Sequence, residues 1–128
     1  MKFLVFLSLL LILSSCRKTE EEACTMVFIQ HNIRVIDSNG TALILDTFYT
    51  QNNSTKEYIH IDKKSTDSSH HYPLINDHQI NQLSNANNTA FTFSAIKGND
   101  TVKAEYLFKN KNCHPFLVNG NSTLIFKP

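Results

Sequence analysis

The chain has 128 residues, with 12 lysines and arginines against 11 aspartates and glutamates and a formal charge of +1. That balance leaves no basic field for nucleic acid, and the length suits one small domain around a single core. With three glycines, three prolines and no tryptophan, Asn, Ser and Thr must supply most of the turn chemistry.

The first element is an export leader. Met1 and Lys2 precede an apolar run over residues 3–13, broken only by Ser8, and then come Ser14, Ser15 and Cys16. Such a run reaches only ~16 Å as a helix, about half of the ~30 Å hydrocarbon core, so residues 1–15 read as a cleaved signal peptide and not as a membrane span. Leu13-Ser14-Ser15-Cys16 resembles the lipobox of bacterial lipoproteins. The resemblance implies cleavage before Cys16, diacylglycerol on its sulfur and acylation of the new amino group. One acyl chain binds a membrane only marginally, so it takes two or three to make a permanent anchor. Loss of Lys2 with the leader leaves 11 basic and 11 acidic residues, a net charge of zero.

Residues 16–23 form the lipidated cysteine and a polar tether, whose seven residues after Cys16 reach roughly 25 Å at full extension. Glu20, Glu21 and Glu22 resemble the export signal of Bacteroidota lipoproteins, which implies display on the outer face of the outer membrane. With Cys16 committed to lipid, Cys24 and Cys113 remain in an oxidising compartment. An even pair there reads as a disulfide, against the alternatives of free thiols or two metal ligands. A closed loop of about 90 residues would lower the freedom of the unfolded chain by roughly 4–5 kcal/mol.

Residues 24–128 carry the folded domain. Residues 25–36 alternate with period two: Val27, Ile29, Ile33 and Val35 share a face interrupted by His31, which predicts a strand. Asp37-Ser38-Asn39-Gly40 supplies a turn, and residues 41–50 predict a returning strand paired with the first as a hairpin. Residues 57–62 predict a short third strand near an edge. Residues 63–71 hold no large apolar residue and predict an exposed, mobile loop. A short strand over 72–75 follows, then a helical turn capped by Asp77 and running through Ile80 and Leu83.

Residues 89–96 place Phe91, Phe93 and Ala95 on one face. Lys97-Gly98-Asn99-Asp100 turns the chain, and residues 101–108 return with Val102, Ala104, Tyr106 and Phe108 inward, the clearest hairpin in the sequence. A polar loop over 109–112, a short strand over 113–118, an Asn119-Gly120 turn and a closing strand over 122–127 complete the chain. Strands at this spacing without long helices predict an all-β sandwich or barrel.

Ile33, Val35, Asp37, Gly40 and Leu43 match the I-x-V-x-D-x-x-G-x-x-L pattern of prealbumin-like and carboxypeptidase-regulatory immunoglobulin-like modules. With the leader and the Cys113-His114 pair, the chain resembles small Bacteroidota lipoproteins carrying such a domain. The resemblance implies an all-β, immunoglobulin-like (prealbumin-like) sandwich of about seven to eight antiparallel strands. It brings no activity with it.

Among candidate sites, His70, His71 and His78 stand near Asp67 and Asp77, but adjacent histidines in a loop lack the spacing of converging metal ligands, and no metal or cofactor is expected. His114 is expected to pack or cap at a strand start. Asp46, Glu57 and Glu105 lie on strands whose spacing brings no two of them together, and no GxSxG elbow exists. Asp100-Thr101-Val102 resembles the acceptor motif for O-linked sugars in Bacteroidota envelope proteins. Phe48, Tyr49, Tyr58 and Tyr72 flank polar turns and either complete the core, the favoured reading, or stack on sugars or a protein partner at the rim. The expected function is a lipid-anchored envelope accessory or binding module and not an enzyme. The alternatives are a structural small subunit of an outer-membrane complex and, behind it, an envelope inhibitor or immunity factor, or an enzyme.

Overall fold

The structure, a computed structural model, describes residues 24–61 and 70–127. The expected leader and tether, with Cys16, and most of the expected 63–71 loop lie outside the described residues. Among the described residues, eight strands run in the order β1 (Gln30–Ile36), β2 (Thr47–Asn52), β3 (Tyr58–Ile59), β4 (His71–Asn76), β5 (Thr89–Lys97), β6 (Asp100–Lys111), β7 (His114–Asn119) and β8 (Thr123–Ile125). One 3-10 segment, Asp77–Gln82, lies between β4 and β5. The strands form two sheets, β4-β1-β8 and β3-β2-β5-β6-β7. The fold is the expected all-β, immunoglobulin-like sandwich.

The core is the set of inward residues that period-two alternation selects. Ile33 and Val35 of β1 face Phe91, Phe93 and Ala95 of β5 and Tyr106 and Phe108 of β6, all buried. Phe91 meets Phe108 edge-on at 6.0 Å and Phe93 stacks with Phe48 at 6.0 Å. β5 and β6 pair without interruption from Thr89↔Phe108 to Lys97↔Asp100, so the hairpin expected there is present. β6 runs on to Lys111, where a loop was expected, because Asn110 and Lys111 pair with Pro115 and His114 of β7.

The first expected hairpin is absent. β1 is the middle strand of its sheet, with β4 antiparallel on one side and β8 parallel on the other, so neither edge is left for β2. Of the hairpin, the Ile36↔Ala42 bridge survives after the turn, made by the Leu43 N–H to Val35 carbonyl and Asp37 N–H to Thr41 carbonyl bonds. The chain then crosses to the second sheet. In this crossing the Tyr72 hydroxyl donates to the Leu43 carbonyl at 2.7 Å and accepts from the Leu45 N–H at 2.9 Å, supplying partners where no ladder exists. Residues 25–29 also stay outside β1, leaving Val27 on the surface.

β4 is more central to packing than its short predicted length implied. Leu74 is the extra residue in the register shift opposite His31 and Asn32, and such a bulge lets the consecutive Leu74 and Ile75 both be buried. Pro73 in β4 and Pro115 in β7 both stand on sheet edges, where a missing N–H costs no ladder bond. The 3-10 segment is capped by Asn76, one residue before the expected Asp77: the Asn76 side chain accepts from the His78 N–H, and the Asn76 N–H donates to the Gln79 side chain.

The last strand departs from the all-antiparallel expectation by joining β1 in parallel. The crossing from β7 runs through Gly120 at φ +139, where an added Cβ would overlap the Tyr106 ring. That ring is buried, which pushes the phenol up to about 12, and its hydroxyl donates to the Asn121 carbonyl at 2.9 Å. Gly120→Ala is expected to lower unfolding free energy by about 2–3 kcal/mol, read from the urea midpoint. Gly98→Ala, with open space around its Cβ and φ +59, serves as the control for left-handed strain alone and costs about 1 kcal/mol. Equal midpoints for the two variants would show that the Tyr106 contact imposes nothing.

Candidate functional site

Two clusters of side chains stand out, on opposite edges of the five-stranded sheet. The first surrounds the cysteines. Cys24 and Cys113 are joined as a disulfide with Cα atoms 5.3 Å apart, the pairing expected from their count. Asn112 and Cys113 form the two-residue β6–β7 turn, both in the left-handed region at φ 53 and 65, as a type I′ hairpin requires.

His114, the next residue, lies with Nδ1 2.9 Å from Asp77 Oδ1. A carboxylate only accepts, so Nδ1 carries a proton and donates to Asp77, while Nε2 shares a hydrogen bond with the Thr25 hydroxyl. Asp77 Oδ2 accepts the Ile29 N–H at 2.9 Å, and the Ile29 carbonyl accepts the Asp77 N–H at 3.1 Å. His31, which interrupted the apolar face in the sequence, turns inward: Nε2 donates to the Pro115 carbonyl and its ring meets Phe108 at 5.1 Å.

Hydroxyl, imidazole and carboxylate stand in the order of an acyl-transfer relay. Here the same carboxylate also holds Ile29, and the hydroxyl belongs to the neighbour of a half-cystine. The group therefore clamps residues 24–29 onto the 3-10 segment and β7. The imidazole and carboxylate side chains are 15% and 20% exposed, dry enough for their hydrogen bonds to count.

The other candidate residues do not converge. His71 belongs to β4, His70 immediately precedes it, and His78 is exposed with its ring 5.6 Å from Phe28. Asp67 lies outside the described residues. Among the described residues no three His, Cys, Asp or Glu side chains gather to hold a metal ion. Asp46 accepts the Gly98 N–H, Glu57 accepts from Gln82 and Glu105 from Asn53, each in a separate place. Thr101 is exposed at the start of β6.

The second cluster is aromatic. Phe48 and Tyr72 meet edge-on at 5.0 Å inside the sandwich, so half of the four rings complete the core as expected. Tyr49 and Tyr58 do not: they meet edge-on at 5.3 Å, with Tyr58 51% exposed and 6.5 Å from the His60 ring. Beside them an open cleft of about 440 Å³ is lined by Thr47, Phe48, Thr50, Ile59, His60 and Pro73. A hollow of about 370 Å³ continues along Tyr49 and Tyr58. Among the described residues the lining bears hydroxyls, rings and one imidazole and no carboxylate, ammonium or guanidinium, which suits an uncharged ligand with both apolar and hydroxylated faces.

No family model matches the chain, and no curated protein or solved structure matches it significantly. Asp77→Asn and His114→Gln are each expected to lower stability by about 1–2 kcal/mol with the disulfide intact. The double variant should fall short of the sum by about 0.5–1.5 kcal/mol. Strict additivity in the same urea titrations would show that the two side chains are not coupled.

Proposed function

We propose that the protein is a lipid-anchored binding module of a bacterial cell envelope, which offers its β3 edge to a neutral, hydroxyl-rich ligand of the glycan class. The anchoring half of this reading rests on the Leu13-Ser14-Ser15-Cys16 motif at the end of an apolar leader too short to span a bilayer. Display on the outer face of the outer membrane is the part that Glu20, Glu21 and Glu22 favour.

The observation that carries the binding half is the exposed Tyr58 packed on the half-buried Tyr49, beside a cleft whose described lining bears no charge. A small domain without tryptophan has few rings to spare from its core, yet Tyr58 is 51% exposed and the half-buried Tyr49 faces it on the outer side of the sheet. The cleft lies on β2 and β3, whereas the disulfide lies at β7, four strands along the same sheet, or about 19 Å at the usual strand spacing. A ligand at one edge is therefore compatible with an anchor at the other. In this reading the His114 group holds the start of the domain and turns nothing over.

A glycan array probed with the purified protein is expected to return neutral oligosaccharides, and Tyr58→Ala to weaken the best of them about tenfold by calorimetry. His114→Gln should leave that affinity unchanged. An empty array, or a Tyr58→Ala variant that binds as well as wild type, would remove the glycan edge from the account.

A further inference from the structure

The segment just before β1 holds apolar side chains out in solvent. Met26 is fully exposed, Val27 is 63% exposed and Phe28 is 55% exposed, three in a row. They are not free to fold back. On one side Thr25 bonds to His114 and its neighbour Cys24 is cross-linked; on the other, Ile29 exchanges two hydrogen bonds with Asp77. Phe28 also leans on the His78 ring. The clamp therefore fixes an apolar protrusion.

The same cross-link ties this segment to the turn that follows β6. Lys111 is two residues from Cys113, and its ammonium lies 4.7 Å from the centre of the exposed Phe116 ring, with that of Lys109 at 5.7 Å. Aliphatic and aromatic side chains flanked by lysines are the composition of a surface that sits in a bilayer interface: the apolar groups enter the acyl boundary and the ammonium groups meet phosphates. What lies within reach is set by the chain that precedes the structure. Seven residues separate Cys16 from Cys24, so an acylated Cys16 keeps the protrusion within roughly 25 Å of the lipid, at high effective concentration.

We infer that Met26, Val27 and Phe28 insert into the interface of a phospholipid bilayer, with Lys109 and Lys111 at its headgroups. This rests on the lipid-anchor reading above. It also assigns the disulfide edge to the membrane side and leaves the Tyr49–Tyr58 edge away from it.

The chain contains no tryptophan, so Phe28→Trp and Tyr58→Trp each create a single fluorescent reporter in the full, processed protein. The proteins are placed in phosphatidylethanolamine–phosphatidylglycerol vesicles whose acyl chains are brominated. The expected result is a blue-shifted Phe28→Trp emission that loses most of its intensity to bromine, and a Tyr58→Trp emission that loses little. Val27→Trp repeats the first measurement should the Phe28 variant fold poorly. Equal quenching at the two edges, with acyl chains found on Cys16 by mass spectrometry, overturns the membrane contact and leaves the anchor standing. A Cys16 without acyl chains overturns the anchor, and the contact falls with it.

Discussion

The bond between Cys24 and Cys113 is the constraint around which one end of the molecule is arranged. It ties the residues that precede β1 to a two-residue turn of the five-stranded sheet, 89 positions along the chain. Neither partner segment is well placed alone. The turn holds two successive non-glycine residues in the left-handed region, which side chains adopt at a cost, and residues 24–29 have no strand ladder of their own. Cross-linking them brings His114 to Thr25, and Asp77 completes the group by spending one oxygen on the imidazole and the other on the Ile29 N–H. Three pieces that touch nowhere in sequence thus become one support for the start of β1.

That support matters because β1 is the middle of the smaller sheet. Its neighbours arrive from distant parts of the chain, β4 after about forty residues and β8 from the far terminus, so its position has to be fixed from outside. Across the sandwich, Phe48, Phe91, Phe93, Phe108, Tyr72 and Tyr106 fill the space between the sheets. The tyrosines turned outward, Tyr49 and Tyr58, gather at the edge farthest from the disulfide, while Phe28 and Phe116 lie near it. The anchor reading and the ligand reading therefore draw on separate surfaces.

Much of this architecture was legible in the sequence where the signal is local. The β5–β6 hairpin follows from alternating Phe91, Phe93 and Ala95, a Lys-Gly-Asn-Asp turn and a matching return, and the cysteine count foretold the cross-link. The partner of β1 was not legible: Asn39-Gly40 is a good hairpin turn, and it does begin one, but β4 and β8 claim both edges of the strand through contacts that no local pattern records. Nor was the outward face of β2. The chain changes sheets between Leu45 and Thr47, so Leu45 and Phe48 both turn inward although they differ in parity, and Tyr49 is left outside. The Asp77–His114 pair spans 37 positions; its one sequence signal is a histidine beside a half-cystine and a proline. The proposed leader, in contrast, rests wholly on its own sixteen residues.

The central claim is the cross-link, and non-reducing peptide mapping of the purified protein tests it most directly. The account predicts a single linked peptide joining Cys24 to Cys113, with neither cysteine alkylated until reductant is added, and a loss of roughly 4 kcal/mol in unfolding free energy once it is. Recovery of both cysteines as alkylated thiols without reductant, at full native stability, would contradict it.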